Sequence, residues 1–259
     1  MNPILSKIRI YPIKSLDPVE LSQVKIGVRS LLGDRRYALI HEDGGFINGK
    51  RTGRVNQLET SFDGALEQVS FQTRGIGEKI TFHLEREKQE IERYLSEFFS
   101  MKVHFLRNDQ GRLLDVPDES AVTVVAQETY QELSDALSDP SDRLRLRFRA
   151  NLEISQVPSY WEELLVSGNS ETGVPFRIGE VNFLGIRLRA RCNVPPRNPF
   201  TGETDKTFIK KMLASRESSV PPWSSIRNLD SLYHLTVDTF IPDAETGKEI
   251  KVGDHLEIL

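Results

Sequence analysis

From Ile4 to Leu106 the chain falls into short runs in which apolar and polar residues alternate, each closed by turn residues. Alternation with period two places one set of side chains on one face of a strand, so each run reads as a half-buried strand. Ile8 and Ile10 alternate with Lys7 and Arg9 ahead of Pro12. Val19, Leu21, Val24 and Ile26 alternate around a turn or bulge near Ser22. Further strands are expected over residues 37–41, 57–62, 68–72, 79–84 and 102–106, and Glu42-Asp43-Gly44-Gly45 reads as a hairpin turn. The second half adds runs at residues 121–125, 152–154, 176–178, 181–191, 234–239 and 249–259. Arg143-Leu-Arg-Leu-Arg-Phe-Arg149 also alternates and is read here as a strand-like ladder. Helical spacing occurs over 87–99, 127–137 and 206–214, with a short turn of helix at 160–165. Many short strands and few helices predict a mainly β chain of the α+β class, built as a barrel or sandwich and not as a parallel α/β sheet.

At 259 residues the chain can hold one large core or two smaller ones. The polar stretch over 107–118, with Gly111 and Pro117, is the expected junction, giving units at 1–110 and 111–259. A net charge of −4 gives no global reason to expect nucleic-acid binding. No run approaches the roughly 20 apolar residues of a membrane span, and no secretory pattern opens the chain. A cytoplasmic protein is therefore expected. The five histidines show no HxxxH or HExxH spacing, and GxSxG, P-loop and GxGxxG patterns are absent.

One cysteine, Cys192, excludes internal disulfides and CxxC motifs. A lone cysteine is ordinarily a small buried hydrophobe. Its surroundings offer another role, because Arg187, Arg189 and Arg191 alternate up to it. Three same-face guanidiniums repel unless an anion or carboxylates neutralise them, and their field favours a thiolate. They are equally a solvated face paired with acids. Simple alternation puts Cys192 on the side opposite the arginines unless the strand ends or bends at Arg191. The second basic run carries Arg143, Arg145, Arg147 and Arg149, with Leu144, Leu146 and Phe148 as its expected core face. The two ladders brought together would bind an anion, since planar guanidiniums grip phosphate through two parallel hydrogen bonds.

Five segments together resemble the MOSC family, named for the C-terminal domain of molybdenum cofactor sulfurases. They are Tyr11-Pro12-Ile13-Lys14-Ser15, Gly33-Asp34-Arg35-Arg36-Tyr37, Phe148-Arg149-Ala150-Asn151-Leu152, Arg191-Cys192 with Asn198-Pro199-Phe200-Thr201-Gly202, and Lys251-Val252-Gly253-Asp254. The likeness is to the two-part form of the mitochondrial amidoxime-reducing component and its bacterial relatives. The resemblance implies a MOSC-type β-barrel preceded by a smaller β-barrel-like N-terminal domain. It implies a molybdenum-pterin cofactor (Mo-molybdopterin). Lys14, Ser15, Arg35 and Ser120 would contact its phosphate or pterin, Arg149 and Asn151 would hold the pterin, Arg191 would be a further cofactor-binding residue, and Cys192 would be the metal ligand and catalytic residue. Tyr37 stands where the family often has tryptophan, Val194-Pro195-Pro196-Arg197 where it often has Thr-Thr-Val, and residues 48–54 differ from its usual loop. The activity implied is reduction of a small N-hydroxylated substrate, with electrons from a separate ferredoxin or flavin reductase type of protein. Asp205 and His234 are candidate proton donors. Two other roles fit the same residues: a carrier of cofactor or sulfur, with a persulfide on Cys192, and a β-barrel binding module without cofactor.

Overall fold

The computed structural model describes residues 2–110, 113–114, 122–167 and 173–259. Its strands are β1 (Ile4–Ile10), β2 (Val19–Leu21), β3 (Gln23–Lys25), β4 (Tyr37–His41), β5 (Leu58–Phe62), β6 (Gln68–Thr73), β7 (Ile76–His83), β8 (Val103–Arg107), β9 (Val122–Ala126), β10 (Leu152–Ser155), β11 (Val174–Ile178), β12 (Val181–Ala190), β13 (His234–Phe240), β14 (Glu249–Lys251) and β15 (Leu256–Ile258). The helices are α1 (Lys88–Phe99), α2 (Gln127–Leu137), α3 (Ser141–Phe148) and α4 (Phe208–Ser219). The protein is thus mainly β, as the alternation predicts.

Eight strands form one sheet in the order β15-β11-β12-β13-β9-β10-β1-β2, antiparallel except for β9 beside β10. The start of β1 also meets the chain ahead of β15. Ile4 bridges His255, and the amides of Leu5 and Leu256 donate to the carbonyls of Asp254 and Pro3. These bonds close the sheet on itself as a barrel, which removes the unpaired edges an open sheet would expose. Its interior is the alternating set the sequence marks: Ile8 and Ile10, Val122 and Val124, Leu152 and Ile154, Phe176 and Ile178, Val181 and Phe183 are all fully buried.

A second core is built from β4 with β8, the β5-β6-β7 meander and α1. Ile91, Leu95 and Phe99 lie four residues apart on α1, so one stripe faces this core, and Ser100 ends the helix in the left-handed region. Residues 4–25 come first in the chain, yet β1 and β2 pair within the barrel and β3 pairs with β14. Between β1 and β2 the chain crosses to the second core and back, burying Ile13 and Leu16 in it. That crossing, over Tyr11 to Leu16, lies where the two bodies meet.

One expected strand is a helix. Residues 143–149 alternate Arg with Leu or Phe, but Ser141–Phe148 is α3. Leu144 and Phe148, four apart, are buried against α2 and α4, while Leu146 is only half-buried. Arginine and leucine both favour helix, and the run holds no β-branched residue. The Asp139-Pro140-Ser141-Asp142 stretch that stops α2 also starts α3, with Asp142 in the first turn and Arg145 and Arg147 in the last.

Candidate functional site

The crossing at Tyr11 to Leu16 runs beside the turn that carries Asp34, Arg35 and Arg36. The Arg35 amide donates to the Tyr11 carbonyl, Tyr37 to Pro12, and Lys14 back to Tyr37. Buried Asp34 fixes the pair: Oδ1 accepts from the Tyr11 amide at 2.8 Å and Oδ2 from Arg35 Nη1 at 2.5 Å. Arg35 Nη1 also reaches Asn151 Oδ1 at 3.1 Å, and Asn151 Nδ2 donates to the Arg9 carbonyl. Asn151 therefore ties the barrel strand β10 to this turn. Tyr11 lies beneath two cations, with the guanidiniums of Arg35 and Arg149 4.6 and 4.0 Å from its ring centroid.

Three residues here hold positive φ without being glycine: Ser15 at 72°, Arg35 at 47° and Arg149 at 57°. A side chain in that region costs free energy that the surroundings must repay, and such residues gather at functional sites. For Arg149 the cause is local, since it is the left-handed residue that ends α3.

On the other wall, β12 ends at Ala190, so Arg191 and Cys192 leave the strand alternation. The Arg191 amide donates to the Tyr233 carbonyl, and its Nη2 reaches the Phe148 carbonyl at 2.7 Å. Cys192 is exposed, so it is not the buried hydrophobe a lone cysteine usually is. Arg187 and Arg189 share a face, as alternation requires, and both meet Asp238, which is 1% exposed, at 3.1 and 2.5 Å.

These elements enclose one pocket of about 240 Å³. Lys14, Ser15, Arg35, Arg149, Asn151, Arg191 and Cys192 all line it. Ser120 lies outside the described residues. Asp205 and His234 are not among the lining residues. Residues that the sequence did not assign to a site complete the wall, Asn48, Gly49 and Lys50 from one loop and Val194, Pro195 and Arg197 from another, together with Arg147 of the second basic run, on α3. The two loops touch where Gly53 meets Gly202, and a Cβ on Gly202 would lie 2.2 Å from the Gly53 carbonyl oxygen. Nothing local in the sequence names the partner loop.

Among the described lining residues nine are cationic (Lys14, Arg35, Lys50, Arg147, Arg149, Arg187, Arg189, Arg191, Arg197) and none is Asp or Glu. Three buried acids sit behind them: Asp34 on Arg35, Asp139 on Arg147 and Asp238 on Arg187 and Arg189. Arg149 and Arg191 donate only to main-chain carbonyls among the described residues. Burial pulls Arg149 down to about 10, and neighbouring Arg35 adds to that. Burial, then Arg189, lowers Arg191. An anion in the pocket would relieve both, because it restores the charged form that burial disfavours.

The sequence matches the family model for the MOSC N-terminal beta barrel domain over residues 2–111 and that for the MOSC domain over residues 111–257. The chain belongs to the MOSC family. No curated protein matches it. Similar solved structures include the YUAD protein from Bacillus subtilis, 10% identical, with 99% of this chain and 94% of that chain covered and a TM-score of 0.41. A hypothetical protein is 9% identical, with 100% of this chain and 68% of that chain covered and a TM-score of 0.42. MOSC domains are associated with the molybdenum cofactor and with sulfurase-like proteins. The donor set of this MOSC chain fits such a group. Cationic side chains held by carbonyls suit a phosphate, and an exposed thiol suits a soft metal.

Proposed function

We propose that this MOSC protein is a molybdenum-cofactor oxidoreductase that reduces small N-hydroxylated compounds with electrons from a separate protein. The observation that carries the reading is the meeting of Lys14, Ser15, Arg35, Arg149 and Asn151 with Cys192 in one pocket. Lys14, Ser15 and Arg35 would take the cofactor's phosphate, Arg149 and Asn151 would hold the pterin, and Cys192 would be the protein ligand to molybdenum. The bound group supplies the two-electron chemistry.

The protein's own part is positioning and charge. Asp34 and Asn151 lock the Arg35 guanidinium before any ligand arrives, so little rotamer freedom remains to be lost on binding. The Tyr11 ring supports Arg35 and Arg149 from beneath and leaves their N–H edges for oxyanions. Arg191, tied to the Phe148 carbonyl, sets a positive charge in the wall next to Cys192 in the chain.

Protein made in a host that synthesises molybdopterin should carry stoichiometric molybdenum by elemental analysis, and Cys192→Ser should lose metal and turnover. Wild-type protein without molybdenum from that host would sink the reading. The exposure of Cys192 favours one other role, transfer of a persulfide sulfur to a second enzyme. A metal-free protein that accepts labelled sulfur on Cys192 from a desulfurase would decide for it.

A further inference from the structure

The cations of the pocket divide by what holds them. Arg35 and Arg149 rest on Tyr11, and Lys14 donates to the Leu113 carbonyl 4.1 Å above the Phe46 ring. That group stands where the cofactor phosphate is proposed. Arg191 and Arg197 hang on other supports and flank Cys192 in the chain. Arg197 Nε donates to the Gly49 carbonyl at 2.8 Å and Nη1 to the Gly202 carbonyl at 3.0 Å. Arg147 Nη1 pins this loop by reaching the carbonyls of Pro195 and Arg197 at 2.8 and 2.5 Å. Arg191 and Arg197 both line the pocket, and neither has a carboxylate partner among the described residues. Carbonyl dipoles hold a guanidinium in place but leave its net charge uncancelled. Two fixed positive charges in the wall of the pocket that Cys192 lines favour an anion there, beyond the one held at the Tyr11 support.

We propose that the substrate reaching Cys192 carries an oxyanion, a carboxylate or a phosphate, beside its reducible group, and that Arg197 selects it. A guanidinium held in the pocket wall offers remaining N–H groups to such an oxyanion at little further entropic cost. This substrate class rests on the reductase reading of the same pocket, but the charge that selects it is measurable without cofactor or turnover.

Cys192 is the only cysteine, so alkylation reports on this point alone. Iodoacetate and iodoacetamide share size and leaving group and differ in charge. The ratio of their rates on the whole protein cancels the reactivity of the thiol itself. In Arg197→Gln the iodoacetate-to-iodoacetamide ratio should fall about three- to ten-fold, as expected for losing one unit charge from a partly screened pocket. Arg197→Lys should keep the wild-type ratio, and 0.5 M salt should narrow the gap between wild type and Arg197→Gln. An unchanged ratio in Arg197→Gln overturns the inference. With molybdenum-loaded enzyme, two N-hydroxylated aromatic substrates that differ only in a ring carboxylate give the second arm. Wild type should prefer the carboxylate by kcat/KM, and Arg197→Gln should lose that preference through KM with kcat retained. Equal preference in wild type overturns the inference as well. Loss of the reductase reading would show as absent molybdenum, with the alkylation ratio still standing.

Discussion

Glu162 should make the protein less stable as pH rises through neutrality. It lies 1% exposed beside Glu163 and the wholly buried Arg216. Its Oε2 accepts from the Ala126 amide at 3.2 Å and the Thr129 hydroxyl at 3.0 Å, while Oε1 is buried with no partner among the described residues. Arg216 is bonded to Glu163, and among the described residues no cation is bonded to Glu162. Burial, then the neighbouring Glu163 charge, pushes the Glu162 carboxyl up from 4.5 to about 8. The sign follows from proton counting. Between those values the native state keeps a proton that the unfolded state has lost, so stability falls as pH rises, by up to about 1.4 kcal/mol per unit. The whole interval sets a ceiling of about 5 kcal/mol, all of it present below pH 4.5 and gone above the folded value. Glu162→Gln keeps the oxygen that faces Ala126 and Thr129 and removes the titration. Urea unfolding from pH 5 to 8.5 can be followed by the two tryptophans. Trp161 adjoins Glu162, and Trp223 donates to the Tyr160 carbonyl. The wild type should lose close to one proton's worth of slope relative to Glu162→Gln, and the variant should be the more stable of the two at pH 8. Parallel profiles would refute the reasoning.

The remaining expectations concern the same core and the pocket. Arg216→Met leaves Glu163 buried without its cation and should cost about 3–5 kcal/mol in urea melts, with Arg216→Met/Glu163→Gln recovering a large part. Inorganic phosphate should raise the melting temperature of cofactor-free wild type, and Arg149→Gln should reduce that shift, because ligand that binds only the folded state stabilises by mass action. Gly202→Ala should open the contact between the two pocket loops, since its φ is +79° and the new Cβ would meet the Gly53 carbonyl. Hydrogen exchange of residues 48–57 should then quicken. Leu95→Ala, fully buried in the second core, should cost about 2–5 kcal/mol without altering phosphate binding.

Period-two alternation marked the barrel strands because their inner faces are apolar and their outer faces polar. Helical spacing marked α1 and α2, whose buried stripes recur every three to four residues. Period-two alternation failed at 143–149, where arginine is itself buried. Arg145 lies against Glu153 and Arg147 against Asp139, partners that only the folded chain supplies, so a polar residue ceased to mean an exposed one. The five family segments named the pocket residues Lys14, Ser15, Arg35, Arg149, Asn151, Arg191 and Cys192. The sequence could not say that Asn48 to Lys50 and Val194 to Arg197 share that wall, because nothing local encodes the contact of Gly53 with Gly202.

By itself, then, the sequence determined a mainly β chain and a lone thiol following a basic strand. Strand period and residue chemistry are local properties, legible without partners. Tertiary structure decided the rest. It closed the sheet through Ile4 and His255, ended β12 so that Arg191 and Cys192 leave its alternation, and set Asp34, Asp139 and Asp238 behind some arginines but not behind Arg149, Arg191 or Arg197. Asp34 and Asp139 are near in sequence to the arginines they meet, but Asp238 lies 51 and 49 residues from Arg187 and Arg189, and which arginines are left with carbonyls alone is fixed only once the chain has folded.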